Sequence, residues 1–273
     1  MYDSSEGLFV AEAQQKNSRI LLFETCEPSK DRLKERQFTK VWADSKDAHG
    51  LMHPYGFAIN HDKYLYVSNQ DSLAVIRFSL ETGKLGPKSE AVLQKEKSSK
   101  KKIYDGTFVL LDKTEEMRGI LFDNKHRLYL ANKETGVQVY DSNGHLLHTL
   151  EVHNPISLAW HSHRQTVWVG TTKSGDESWI PDIVGKKQGK VFEKTNSALI
   201  EFDPETLSPK TILLDKHLKH PAGLVTHGDS VYAISQRDGP GAILEFSISK
   251  RKKIRTIVDE LPDAGERLII SEC

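Results

Sequence analysis

Short apolar runs separated by polar turns recur along this chain with one grammar. Four stretches carry it: HPYGFAINHDKYLYVSNQDSLAVIRFSL from 53, EMRGILFDNKHRLYLANKETGVQVYD from 116, NPISLAWHSHRQTVWVGTTKSG from 154 (resuming at 196 as NSALIEFDPETLSPKTILL), and HPAGLVTHGDSVYAISQRDGPGAILEFS from 220. Each opens on a Pro or Gly element and an apolar strand, then turns at polar residues such as His61-Asp62-Lys63 or Asp123-Asn124-Lys125-His126. A second strand follows: Tyr64 to Ser68, Arg127 to Ala131, Thr166 to Gly170, Ser230 to Ile234. A third alternates apolar and polar residues: Ala74 to Phe78, Val137 to Tyr140, Ala198 to Phe202, Ala242 to Phe246. A turn such as Glu81-Thr82-Gly83 or Ser142-Asn143-Gly144 then leads to an outer strand.

Short strands rich in β-branched and aromatic residues, punctuated by turn residues, predict sheet. Such units cannot bury both faces alone, and packing them radially around a central channel solves that problem. The predicted fold is all-β: one β-propeller domain over 1–273, built of four-stranded antiparallel blades. Gly7 to Ala11, Arg19 to Glu24 and Phe38 to Trp42 supply second, third and fourth strands, with no inner strand read before them. Glu266 to Ser271, after Pro262-Asp263-Ala264-Gly265, is a spare strand. The expectation is that it joins the N-terminal blade and closes the ring, which removes two sheet edges.

Repeat starts at 53, 116, 154, 220 and 262 count five blades. The intervals from 116 and from 220 are near one blade, about 40 to 45 residues. The longer intervals place insertions at 88–114 and 173–195. The first contains candidate strands at Ala91-Val92-Leu93 and Thr107 to Leu111, so six blades is the alternative count. The second falls between two strands of its blade and is expected to protrude. Structureless loops of about 20 residues are uncommon and often functional.

The stretches His53-Pro54-Tyr55-Gly56-Phe57-Ala58-Ile59 and Leu65-Tyr66-Val67-Ser68-Asn69 resemble the repeat of NHL-type propellers and of gluconolactonase-like propellers. The resemblance runs over most of the chain at the level of blades. It implies the propeller fold, and for the lactonase-like group a calcium-dependent hydrolase with asparagines and an acid facing the channel. The position matching that group's Pro-Asn-Gly asparagine holds Tyr55, Arg118, Ile156 and Ala222, so this ligand is missing. Asn69 and Asn132 end second strands, and Glu12, Asn69, Asn132, Thr171 and Gln236, at comparable places on successive blades, are the remaining oxygen candidates for calcium, with Glu12, Asn69 and Asn132 foremost.

Charge and composition narrow the function classes. Lys plus Arg equals Asp plus Glu at 38 each, which argues against a chain dedicated to neutralising a nucleic-acid backbone. Two cysteines, Cys26 and Cys273, make no disulfide framework. With no membrane-length apolar segment and no leader pattern in the opening residues, the expectation is a cytoplasmic protein without membrane contact.

Candidate chemistry is sparse. His53 and His220 each precede the Pro that opens a strand, and His153 lies one residue earlier in the same frame. Convergence of these three imidazoles would suit zinc with an activated water; loop hydrogen bonding is the plainer role. Glu116 and Arg118 are the one charged pair in that frame, able to form an ion pair or to position a carboxylate. His53, His220, Glu116 and Arg118 are therefore the catalytic candidates of a channel-sited lactonase-like hydrolase or metal-dependent lyase. There is no G-x-S-x-G, H-E-x-x-H or P-loop. The other histidines, His61 and His126 among them, read as ordinary turn residues.

Two surface features point to partners. Lys95, Lys97, Lys100, Lys101 and Lys102 form a basic patch, either a solvated rim or a contact for nucleic acid or an acidic partner. In the 173–195 insertion, Trp179 and Ile180 sit beside Asp182, Lys186 and Lys187. Packed down, Trp179 caps a face; exposed, it anchors a protein interface. The leading expectation is a non-catalytic scaffold binding a protein partner, with no cofactor, ahead of the hydrolase or lyase and of nucleic-acid binding.

Overall fold

The computed structural model describes residues 2–4, 7–13, 17–25, 36–99, 103–112, 116–172, 197–236 and 240–261. The described strands form five four-stranded antiparallel sheets, the blades of a five-bladed β-propeller. They lie in two compact units. One holds the described residues of Met1–Leu130 and Val139–His148, the other those of Ala131–Gln138 and Thr149–Leu268.

The first sheet is β1 (Tyr2–Ser4), β2 (Gly7–Glu12), β3 (Arg19–Phe23) and β4 (Phe38–Asp44). The second is β5 (Pro54–Ile59), β6 (Tyr64–Asn69), β7 (Ala74–Ser79) and β8 (Thr107–Leu110), with helix α1 (Glu90–Ser99) inserted before β8. The third is β9 (Met117–Phe122), β10 (Leu128–Asn132), β11 (Gly136–Tyr140) and β12 (Leu146–Leu150). The fourth is β13 (Pro155–His161), β14 (Thr166–Thr172), β15 (Ser197–Phe202) and β16 (Pro209–Leu213). The fifth is β17 (Pro221–His227), β18 (Ser230–Ser235), β19 (Gly241–Ser247) and β20 (Lys252–Leu261).

Turn chemistry explains why the grammar folds this way. The turn joining first and second strands ends in a left-handed residue: Lys63 (φ 61°), His126 (62°), Gln165 (52°) or Gly228 (56°). The turn before the outer strand does the same with Gly83, Gly144, Leu207 and Arg251. Aspartates set several of these bends by accepting backbone N–H groups, as Asp123 does from Lys125 and Arg127 at 2.9 Å each.

Each second strand carries a central aromatic: Phe9, Tyr66, Tyr129, Trp168 and Tyr232. The first four are fully buried. In the first unit, Trp42 meets Phe9 and Phe78 edge-on at 5.0 and 5.6 Å, and Tyr66 meets Phe108 and Phe122 at 5.0 and 4.8 Å. In the second unit, Trp168 packs with Leu199, Leu213, Leu224 and Phe246.

Three expectations need correction or limitation. The N-terminal blade has its own first strand: β1 pairs with β2 from Tyr2↔Phe9 to Ser4↔Gly7. Its three residues are too few to show a period. The proposed closing strand, 266–271, lies outside the described residues. The 88–114 insertion is not a sixth blade, because β8 completes the second sheet and Ala91-Val92-Leu93 is helical. Ser89 caps that helix, its Oγ accepting the Val92 N–H at 3.2 Å and donating to the Phe108 carbonyl at 2.7 Å.

Candidate functional site

Antiparallel order fixes which loops share an end of the sheets. Where first strands begin, second strands finish and third strands start. His53, Asn69, Glu116 and Arg118 are at this end in the first unit, and His153 and His220 in the second.

The leading residues of the first strands are bulged. Register is interrupted between Pro54 and Gly56, Pro155 and Ser157, and Pro221 and Gly223, so Tyr55, Ile156 and Ala222 drop out of the ladder. A bulge re-aims a side chain. The position matching these three in β9 is Arg118. The residue before the proline is held left-handed at His53 (φ 54°) and Asn154 (φ 43°). A residue preceding proline ordinarily adopts extended backbone, so its neighbours must hold this one in place. The His53 N–H donates to Ser18 Oγ at 3.0 Å and its carbonyl accepts the Gln70 N–H at 3.1 Å.

Arg118 is the most committed cation at this end. Its residue is 9% exposed. Nε and Nη2 donate to Glu116 Oε1 at 3.2 and 2.9 Å. Its carbonyl accepts Ser68 Oγ at 2.5 Å, and that hydroxyl accepts the Gly56 N–H at 2.9 Å. The guanidinium is thus fixed at both ends of its residue, while Nη1 is buried with no protein partner. An unsatisfied donor on a buried cation costs more than a neutral one.

His53 Nδ1 lies 3.5 Å from Asp71 Oδ2, with both side chains more than one-third exposed. A shallow cleft of about 320 Å³ lies on the first blade, lined by Asn17, Arg19, Val41, Asp44, Ser45 and Lys46. Arg19 there donates from Nε to Glu12 Oε2 at 2.6 Å, which holds the Glu12 carboxyl below its usual range. Asp44 accepts the Lys46 and Asp47 N–H groups at 2.8 and 3.1 Å.

The oxygen candidates for calcium are used otherwise. Asn69 accepts the Met52 N–H at 3.2 Å and donates to the Val67 and Ala74 carbonyls at 3.0 and 3.2 Å. Asn132 accepts the Glu134 and Thr135 N–H groups at 3.1 and 3.3 Å and donates to Gln138 Oε1 at 3.2 Å. Both asparagines staple their own loops, and Glu12 is taken by Arg19. These residues do not fit a calcium site. Among the described residues, no three His, Cys, Asp or Glu side chains are grouped to hold a metal ion. The carbonyls of His153 and His220 accept Thr171 Oγ1 and the Gln236 N–H.

Lys95 of the basic patch is bonded to the Leu110 carbonyl and Asp112, whereas Lys97 is exposed. Lys100, Lys101 and Lys102 lie outside the described residues, as do Trp179, Ile180, Asp182, Lys186 and Lys187.

Sequence reasoning passed over a set of charges on the third strands, of which Glu201 and Glu245 are buried and Arg77 is half-buried. Arg77, Glu201 and Glu245 each precede a phenylalanine and stand opposite Tyr66, Trp168 and Tyr232. Glu201 is buried, which pushes its carboxyl up, but hydrogen bonds from Arg164, Thr211 and Thr166 hold it below the ordinary value. The signal was the recurring apolar-charged-Phe triplet. Their hydrogen bonds stay within their own sheets and adjoining turns: Arg77 to Tyr66 and Pro87, Glu201 from Arg164 and Thr166, Glu245 from Ser230 and Arg255.

No known family pattern and no curated protein matches this sequence. Solved structures do. A chain titled as Kuenenia stuttgartiensis hydrazine synthase is 14% identical with a TM-score of 0.52, over 78% of this chain and 50% of that one. The likeness is one of fold. A Bacteroides caccae protein of unknown function is 12% identical with a TM-score of 0.55, over 94% and 80%. A Xanthomonas campestris gluconolactonase is 15% identical with a TM-score of 0.52, over 77% and 63%. This chain spans half the length of the hydrazine synthase chain and under two-thirds of the gluconolactonase chain.

Proposed function

We propose that this propeller is a non-catalytic binding module that takes an acidic group of a protein partner at the end of the sheets carrying Arg118. The observation behind this reading is the buried guanidinium with Nη1 unpartnered and its other nitrogens fixed by Glu116. A planar donor held in place loses little freedom on meeting a carboxylate, so its geometry favours that group over a random surface lysine. The Ser68 hydroxyl beside it is spent on backbone groups, donating to the Arg118 carbonyl and accepting the Gly56 N–H.

The test is calorimetric titration of wild type, Arg118→Gln and Arg118→Lys with an acidic hexapeptide and its amidated counterpart. Saturable binding of the acidic peptide alone, lost in both variants, supports the reading. Equal binding in wild type and variants opposes it. The 173–195 insertion belongs to the same proposal on sequence grounds, and Trp179→Ala should weaken capture of a partner without unfolding the chain.

A second reading is a lactonase-like hydrolase, favoured by the gluconolactonase among the structural neighbours and by His53 beside Asp71. A histidine next to a carboxylate is the arrangement of a general base. Hydrolysis of δ-gluconolactone by wild type, abolished in His53→Ala, would move the assignment there.

A further inference from the structure

We propose that Asn60, His61 and His126 form a binding site for a divalent transition-metal ion of the Zn²⁺ or Cu²⁺ type, ligated by the two imidazole nitrogens that face away from Asn60. The imidazoles come from different blades. His61 is in the β5–β6 turn and His126 in the β9–β10 turn, both within the first unit. Their ring centroids are 3.7 Å apart with the planes tilted by 40°. One acceptor organises both: Asn60 Oδ1 lies 3.0 Å from His61 Nδ1 and 2.9 Å from His126 Nδ1.

That shared oxygen decides the tautomers. An amide oxygen has two lone pairs and no proton, so each Nδ1 donates to it. In a neutral imidazole the other nitrogen, Nε2, then carries the lone pair. Metal-bound histidines typically donate their second ring nitrogen to a carbonyl or carboxylate, which sets ring orientation and raises ligand basicity. Here one carbonyl serves two rings at once, before any metal arrives.

The pairing is not an accident of ordinary turn chemistry. His126 occupies the left-handed turn position that Lys63, Gln165 and Gly228 fill in other blades. Any of those residues would complete the turn without an imidazole. Neighbouring Asp62 is engaged, with Oδ2 accepting the Tyr66 hydroxyl at 2.5 Å and Oδ1 the Tyr64 N–H at 3.2 Å. The site therefore supplies two nitrogens, with water filling the remaining positions. Imidazole pairs suit zinc, copper and nickel and do not suit calcium or magnesium. Both histidines are exposed, so the ion exchanges freely with solvent.

The experiment titrates tag-free full-length protein with ZnCl₂ by calorimetry and follows the imidazole nitrogens by long-range ¹⁵N NMR. The expected result is one saturable equivalent, with the Nε2 resonances of His61 and His126 moving. His61→Ala and His126→Ala each remove that equivalent, and Asn60→Leu weakens it about tenfold, the lower end of what losing such an orienting partner costs. His163→Ala and His227→Ala bind as wild type. The proposal fails if wild type shows no saturable equivalent, or if zinc moves other histidine resonances while His61 and His126 stay still. The resonance readout on wild type keeps it testable should an alanine variant fold poorly.

Discussion

Ser68 and Arg118 are joined by a buried bond from one strand to the next blade: Ser68 Oγ donates to the Arg118 carbonyl at 2.5 Å while receiving the Gly56 N–H at 2.9 Å. A second serine makes a like seam in the other unit, Ser157 Oγ donating to the Pro221 carbonyl at 2.6 Å. One hydroxyl thus satisfies the backbone of two strands. Ser68→Ala strands a buried carbonyl and a buried N–H, each short of its partner. The expected loss is about 1–3 kcal/mol, read from the urea midpoint at unchanged slope. An unchanged midpoint would mean that the seam carries no energy.

Acid should weaken the second unit through Glu201. Its folded-state carboxyl lies below the ordinary value of 4.5, because the bonds from Arg164, Thr166 and Thr211 outweigh its burial. Its stabilisation is therefore complete above the unfolded value and is lost as pH falls through the folded one. The stability difference between wild type and Glu201→Gln should shrink as pH drops below 4.5. A difference that stays constant down the acid limb would show that Arg164 does not discriminate the charged form.

Asp203 should act the same way at lower pH. The Lys210 side chain and the Glu205 and Thr206 N–H groups bring its carboxyl down to about 2. Between its ordinary value of 3.8 and about 2, Asp203→Asn should flatten the loss of stability with acid. An acid limb of unchanged steepness in the variant would contradict this.

Calcium should leave the fold as it is. Asn69 and Asn132 spend their oxygens on loop N–H groups, and Glu12 is held by Arg19. Occupancy at 100 times the dissociation constant would stabilise by about 2.7 kcal/mol. Melting with calcium and with chelator should therefore coincide. A calcium-dependent rise that Asn69→Ala removes would contradict the structure of that loop.

What was legible in the sequence was whatever repeats. Four blades announced themselves through turns and second-strand aromatics, because each of Tyr66, Tyr129, Trp168 and Tyr232 solves the same packing problem. Elements made once did not. β1 has three residues, and α1 looks like a strand in sequence because Ala91-Val92-Leu93 is a continuous apolar run whose helical cap, Ser89, stands two residues before it. The candidate site was half visible. Glu116 and Arg118 were found by their frame, since the bulge recurs at that frame in other blades. Asn69 and Asn132 are buried at the ends of their strands, where a loop staple and a metal ligand both want an oxygen, and the sequence does not tell the two apart. The contact between His61 and His126 joins turns 65 residues apart in number, and no local pattern encodes it.

The helix cap gives a further check. Ser89→Ala removes both the Val92 N–H acceptor and the donor to Phe108. Loss of such a cap costs about 1 kcal/mol, and exchange of the first-turn amides of α1 should speed up while the blade amides hold. Equal protection in both proteins would show that packing, not Ser89, starts the helix.

The central claim is that Arg118 meets an acidic group through the nitrogen it leaves unpaired. The direct measurement is guanidinium NMR of the folded full-length protein, assigning Arg118 by comparison with Arg118→Lys and titrating in the acidic hexapeptide. The account predicts that the Arg118 Nη1 resonance shifts and saturates, that the amidated peptide leaves it in place, and that Glu116→Gln broadens it. An Arg118 signal that does not move while peptide binds elsewhere, or that moves equally with the amidated peptide, would contradict it.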